Sequence, residues 1–359
     1  MPDDNPAPAP LVGSKRLDTL RAALSEGDDR PILIAIHDYP DPDALASAMA
    51  LQTLVGSWGM ASTIAYGGGI GRPENNAMVE LLDIEMASFR ELADLGDFKG
   101  AIIADTQPAA KNHSLPPGVP VLAVIDHHHL SEESMRLDIG RACRSTTARK
   151  SHFDVRTDIG SNSTLVLGYL LAAGMVPDRR LATALFVGVM TDTDSLLRDA
   201  HPADIDAYTR LLPLADMQLV YSICRPPLGK DYFRFLASAM GKTRLYGHCL
   251  VADCGEIDTP DVVSTVSDFL IRNKGVLYAL AHGLREGRLY LSLRSKPPRK
   301  DATRIMLEAV GPDGKGGGHN LAAGGVIDAA GNPPAALEAM RKRFLLAAGA
   351  SGGAGEPLL

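Results

Sequence analysis

Four clusters of aspartate and histidine, each closing a short apolar stretch, restrict this chain more than any other feature. Pro31–Ile36 (PILIAI) runs into His37, Asp41 and Asp43, and Ala101–Ala104 runs into Asp105. Val121–Ile125 runs into Asp126, His127, His128 and His129, and the apolar helical stretch Leu181–Met190 runs into Asp192 and Asp194. Short continuous apolar runs suit strands buried on both faces. In an open parallel sheet, ligands bind beyond the carboxyl ends of the strands. If the first three runs are neighbours, their ends bring carboxylates and imidazoles into one crevice. Taken singly, an aspartate after a strand is ordinarily a helix cap or a turn residue, and a histidine run is as readily a surface feature. Four such clusters in order point to a shared site.

Between the clusters the signals alternate. Asp41-Pro42 opens a helix over Ala44–Trp58, with a capping carboxylate and proline in the first turn. Ala61–Tyr66 reads as a strand, and helical patterns follow at Thr164–Ala173, Arg180–Met190 and Pro202–Leu214. Strands alternating with helices predict a mostly parallel α/β sheet flanked by helices. CRPPLGK (Cys224–Lys230) breaks regular structure. Beyond it, strands are expected at Cys249–Val251, Val276–Ala281 and Leu289–Leu293, and helices at Pro260–Arg272, Thr303–Ala309 and Pro334–Leu346, a smaller α+β domain. The expected organisation is a leader over 1–25, mobile to about Val12, a catalytic domain over 26–215 and a linker over 216–230. A second domain then spans 231–348, with a flexible tail over 349–359.

The chain has 359 residues, a formal charge of −7 and 45% hydrophobic residues. That is ordinary globular composition, long enough for two domains. The acidic balance excludes a broad duplex-coating protein. No apolar run has the length of a membrane span, and Met1–Pro10 shows no export signal, so a cytoplasmic location is expected. The four cysteines, Cys143, Cys224, Cys249 and Cys254, are too scattered for a disulfide framework.

Carboxylates gathered in one crevice repel one another unless a cation neutralises them. Oxygen and imidazole donors without thiolate suit Mn²⁺, Mg²⁺ or a similar octahedral ion. The donor inventory exceeds one ion. A pair roughly 3.5–4 Å apart is the usual arrangement for hydrolysing phosphate esters.

HDYPDPDA at 37–44, Asp105 in IIADTQP, Asp126-His127-His128 and Thr191-Asp192-Thr193 resemble the motifs of the DHH phosphoesterase superfamily. Gly316-Gly317-Gly318-His319-Asn320-Leu321-Ala322-Ala323-Gly324 resembles the signature of that superfamily's DHH-associated C-terminal domain. The resemblance implies two divalent ions, Mn²⁺ or alternatively Mg²⁺. His37 and Asp41 would hold one; Asp43, His127 and Asp192 would hold the other; Asp105 would bridge them. His128 would act on a phosphate oxygen, with Asp126 fixing the imidazoles by hydrogen bonds. The implied activity is hydrolysis of short oligonucleotides or small phosphorylated nucleotides such as 3′-phosphoadenosine-5′-phosphate. A cyclic-dinucleotide phosphodiesterase and a non-catalytic nucleotide sensor are the alternatives. Asp194 stands where the family commonly has glycine, adding a carboxylate that biases metal choice, repels phosphate or faces solvent. Ala46 likewise replaces a frequent glycine.

In the second domain, Gly316–Gly318 before an expected short helix offers backbone N–H groups to a phosphate. His319, Asn320 and Arg294 would add directed hydrogen bonds, the last in bidentate form. A domain gripping the far end of the substrate favours short substrates. The partners expected are therefore a short oligonucleotide or nucleotide and no membrane, with a homodimer left open.

Overall fold

The computed structural model describes residues 11–110, 112–128, 151–296, 299, 301–312, 314–318 and 321–359. The chain divides into two compact units. One runs to Gly69 and from Glu74 to Pro226; the other comprises Ile70–Pro73 and Pro227–Leu359.

The first unit is built on β1 (Ile32–Ala35), β2 (Ser62–Tyr66), β3 (Ala87–Ser88), β4 (Gly100–Ala104), β5 (Val121–Asp126) and β6 (His152–Val155). They form a six-stranded sheet in the order β3-β2-β1-β4-β5-β6, with every pairing parallel. Ile34 lies beside Ile64 on one side and Ile102 on the other. The order reverses between β1 and β4, the point where open α/β sheets leave a crevice at their carboxyl edge. The strands expected at 31–36, 101–104 and 121–125 are therefore neighbours.

Helices α1 (Ser14–Ser25), α2 (Pro42–Ser57), α3 (Pro73–Leu81), α4 (Asn162–Ala172), α5 (Arg179–Asp192), α6 (Pro202–Leu211) and α7 (Met217–Cys224) complete this part of the chain. One face of the sheet, through Ile32, Ile34, Ile102 and Ile125, shares a core with α1, α2, α4 and α5. The opposite face, through Leu33, Ala35, Ile103 and Val124, packs under Phe89, Leu92, Leu95 and Phe98. In α2, Asp41 accepts from the amides of Asp43 and Ala44, both at 3.1 Å, and Pro42 fills the first helical position. The small side chains of Ala44, Ala46, Ala48 and Ala50 are fully buried. On α5, Gly188 permits the closest approach. A Cβ there would lie 2.2 Å from Ser163 Oγ and 3.1 Å from Asp43 Oδ1.

The second unit contains α8 (Lys230–Gly241), β7 (Arg244–Tyr246), β8 (Cys249–Glu256), α9 (Val262–Leu270), β9 (Tyr278–Arg285) and β10 (Arg288–Ser295). α10 (Ala302–Val310), β11 (Gly314–Gly318), β12 (Ala322–Asp328), α11 (Pro333–Ala347) and β13 (Glu356–Pro357) follow. Its seven-stranded sheet has the order β11-β12-β10-β9-β8-β7-β13, and β8–β9 is its parallel pair. One face packs Leu280, Leu291 and Leu293 under α10 and α11; the other packs Ala279, Ala281 and Leu250 under α9.

Four expectations are corrected. Part of the leader is structured: α1 buries Leu20 and Leu24 completely, and Val12 is buried beside it. The expected linker over 216–230 contains α7, whose Val220 and Ile223 join the first core. The expected tail supplies β13, where Glu356 pairs with Leu245 and Pro357 with Arg244. Finally, Gly314–Gly318 is a strand paired with β12, not a turn before a helix. At two of these glycines the missing side chain serves packing against α10: a Cβ at Gly314 would lie 2.5 Å from Val310 Cβ, and one at Gly316 would lie 3.1 Å from Met306 Cγ.

Cys249 and Cys254 lie on one strand, in cores on opposite faces of the sheet, and burial pushes both thiols up to about 12. Cys143, His129, His319 and Asn320 lie outside the described residues. No described helix is long and apolar enough to cross a membrane.

Candidate metal centre

The carboxyl ends of β1, β4 and β5 deliver His37, Asp105 and Asp126–His128 to the crevice, while α2 contributes Asp41 and Asp43 at its start and α5 contributes Asp192 at its end. Three overlapping groups have donor atoms within 4.8 Å of one another: His37, Asp41 and Asp105; Asp43, His127 and Asp192; and Asp105, His127 and His128. All six residues expected to hold metal are thus brought together, and so is His128.

Asp105 joins the groups. Its Oδ2 is 3.5 Å from His37 Nε2, and its Oδ1 is 3.4 Å from His127 Nε2. It is 1% exposed and has φ +58°, a left-handed conformation uncommon outside glycine. Its Oδ1 is buried without a hydrogen bond of ordinary geometry from any described residue.

The imidazoles are oriented from behind. His37 Nδ1 donates to the Asp38 carbonyl at 2.9 Å, and His127 Nδ1 faces the Ile159 carbonyl at 3.3 Å. Both Nε2 atoms are left on the side of the carboxylates, His127 Nε2 standing 3.1 Å from Asp192 Oδ2 and 3.8 Å from Asp43 Oδ2. The 156–161 loop that carries Ile159 is itself tied down. Fully buried Asp204 on α6 accepts from Gly160 N and His201 N, each at 2.8 Å.

Asp43 occupies the N-terminus of α4, accepting from Asn162 N at 2.6 Å and Ser163 N at 2.8 Å. Even so, burial first and then the charges of Asp105 and Asp192 push its carboxyl well above the usual carboxylate range. Burial pulls His37 and His127 down, but the facing carboxylates, Asp105 foremost, more than offset it and leave both raised well above the ordinary imidazole value. Burial raises Asp41 and Asp192 too, but the facing imidazoles outweigh it and hold both below the usual carboxylate range, so Asp43 is the carboxyl that favours its proton. Crowded carboxylates with imidazole nitrogens aimed at them suit a site completed by cations. With no thiolate in the three donor groups, the donors fit hard or borderline divalent ions.

Asp126 accepts from His128 Nδ1 at 2.8 Å through Oδ1 and from Gln107 Nε2 at 2.6 Å through Oδ2. Gln107 also donates to the His128 carbonyl at 2.9 Å, fixing side chain and backbone together. Burial raises Asp126, but the charge and hydrogen bond of His128, with the His127 charge and the Gln107 bond, together outweigh it, so the carboxyl lies below its ordinary value.

Asp194 is exposed, with φ +48°. A left-handed backbone explains why glycine suits this position, and the extra carboxylate belongs to none of the three donor groups. In the second unit, Arg294 Nε donates to Asp268 Oδ1 at 2.5 Å, and Gly317 is exposed on β11. Gln107, Asn162 and the Ile159 carbonyl were missed by sequence reasoning. A carbonyl leaves no signal there, whereas Ser161–Thr164 has the residue types of a helix cap, and Ser161 does accept from Thr164 N at 3.2 Å.

Residues 247–345 match the DHHA1 domain family. An exopolyphosphatase-related protein from Bacteroides fragilis superposes with a TM-score of 0.71 at 16% identity, covering 95% of this chain and 99% of that one. The chain has the fold of the DHH phosphoesterases, with a C-terminal DHHA1 domain. RecJ from Thermus thermophilus, solved in complex with Mn²⁺, shares the DHH fold with a TM-score of 0.53 at 16% identity, covering 96% of this chain and 56% of that one. An uncharacterized protein of Methanocaldococcus jannaschii is 32% identical over 327 residues, which is 87% of this chain. The chain spans 64% of that relative's length.

Proposed function

We propose that this DHH protein is a dimetal phosphoesterase that hydrolyses short oligonucleotides or small phosphorylated nucleotides. The observation that carries the reading is Asp105, whose two oxygens face two separate imidazole–carboxylate groups. His37 and Asp41 would hold one ion, and Asp43, His127 and Asp192 the other. When bound, two divalent ions supply an activated water and stabilise charge on phosphoryl oxygens. Mn²⁺ is the ion of choice, supported by the donor set and by the Mn²⁺ complex of RecJ, with Mg²⁺ as the substitute.

The protein's own groups set the geometry. Hydrogen bonds at Nδ1 of His37 and His127 turn both Nε2 atoms toward the carboxylates. Asp126 holds His128 through Nδ1 and raises its proton affinity against the effect of burial, so His128 is placed to give a proton to a phosphate oxygen. In the DHHA1 unit we assign Arg294, Gly317, Gly318, His319 and Asn320 to substrate contact. Arg294 is half-buried and already bonded to Asp268 and Ser292 Oγ, which orients its guanidinium. All the donor positions carry competent side chains, which favours an enzyme over a sensor.

The test is an assay of the purified protein against di- to pentanucleotides, cyclic dinucleotides and 3′-phosphoadenosine-5′-phosphate, with Mn²⁺ and with chelator. Metal-dependent release of mononucleotide or phosphate is expected, abolished by Asp105→Ala. Activity indifferent to chelator, or none on any phosphate ester, overturns the reading.

A further inference from the structure

Asp105 holds a left-handed backbone conformation, uncommon for a residue other than glycine although aspartate tolerates it better than most. Its amide donates to the Ile125 carbonyl at the end of β5, at 3.0 Å. Behind it lies Asn162, fully buried at the first turn of α4. With its amide oriented to satisfy both ends, Asn162 Nδ2 donates to the same Ile125 carbonyl at 3.3 Å. Its Oδ1 accepts from the Asp105 amide at 3.2 Å and from Ser47 Oγ on α2 at 3.1 Å. The Asn162 backbone amide meanwhile donates to Asp43 Oδ2 at 2.6 Å. One residue thus touches β4, β5 and α2 with its side chain and a second acidic donor with its main chain.

We propose that Asn162 is a positioning residue of the metal centre: it holds Asp105 in its left-handed conformation and so places the shared carboxylate between the two halves of the site. The proposal rests on the dimetal reading above. The physical reason is the amide's dual character. A carbonyl oxygen at this place caps the Asp105 N–H and the Ser47 hydroxyl, while the NH₂ group satisfies Ile125, a combination that neither alanine nor a hydrophobic isostere supplies. Removing it withdraws an acceptor from the Ser47 hydroxyl and the second bond at both the Asp105 N–H and the Ile125 carbonyl, which are then left to each other alone. The carboxylate beyond then loses its fixed direction.

The experiment is Mn²⁺ titration of the intact chain followed by electron paramagnetic resonance, which separates a magnetically coupled Mn²⁺ pair from isolated ions independently of activity. Wild type is expected to show the coupled pair. Asn162→Ala is expected to bind Mn²⁺ about 10–100-fold more weakly and to lose the coupled signal. In Asn162→Asp the new carboxyl, fully buried beside other carboxylates, is held in its protonated form. It keeps an acceptor for Asp105 N–H and Ser47 and an O–H donor for the Ile125 carbonyl, and this variant is expected to retain the coupling. A merely structural role would lower the melting temperature without separating the ions. A coupled pair in Asn162→Ala with near-native affinity overturns the proposal, as does equal loss of coupling in both variants. If Asn162→Ala does not fold, Asn162→Asp decides alone, and loss of coupling in it counts against the proposal. A wild type that binds no Mn²⁺ pair overturns the dimetal reading itself, a result distinguishable from the others.

Discussion

His128 is aimed by a carboxylate that it shares with a buried amide. Asp126 takes one bond at each oxygen, from His128 Nδ1 and from Gln107 Nε2. An asparagine at 126 has a single acceptor oxygen, so one of those donors would meet an NH₂ group instead. Asp126→Asn is therefore expected to lower turnover or Mn²⁺ affinity by about 10–100-fold while the chain still folds. Steady-state kinetics beside a Mn²⁺ titration measures both. The donor residues were legible because chemistry dictates their types: only carboxylates and imidazoles suit hard or borderline ions, and each follows an apolar run. Their orienting partners were not. Gln107 and Asn162 are ordinary polar letters in the chain, and their importance arises from burial against Asp126 and Asp105. Asp194 shows the same limit. Its charge is visible in the sequence, but the dihedral that makes glycine suitable there is not.

At the level of elements, α1, β6 and α4 are joined by a buried polar network. Arg16 is paired with Asp154, Tyr169 donates to Asp154 Oδ2 at 2.7 Å, and His152 Nε2 lies 2.6 Å from the Tyr169 hydroxyl. Burial first, and then Arg16, depress His152 to about 4. In the unfolded chain this imidazole titrates near 6.5, so between those values the unfolded state binds more protons than the folded one. Stability is expected to fall as pH is lowered from about 6.5 toward 4. Urea unfolding across that range, repeated with His152→Gln, should give a shallower slope in the variant; an unchanged slope contradicts the assignment. The central strands were readable because runs such as Ile32–Ala35 are buried on both faces. β11 was not, since Gly314–Gly318 contains no apolar pattern, and its strand character comes from pairing with β12 and from the space that Met306 occupies.

The whole molecule has a separate apolar core in each unit, the donors all belonging to the first. Calorimetry is expected to resolve two unfolding transitions. Mn²⁺ at a hundred times its dissociation constant should stabilise one of them by about 2.7 kcal/mol and leave the other unmoved. A single transition that Mn²⁺ shifts as a whole would show that the units unfold together. Asp204 acts on the site from a distance. Its bonds to Gly160 and His201 immobilise the stretch whose Ile159 carbonyl faces the His127 ring. Damage to α6 would therefore surface as a swivelled imidazole several bonds away, and a phenotype mapped to that helix would be a defect of metallation in disguise.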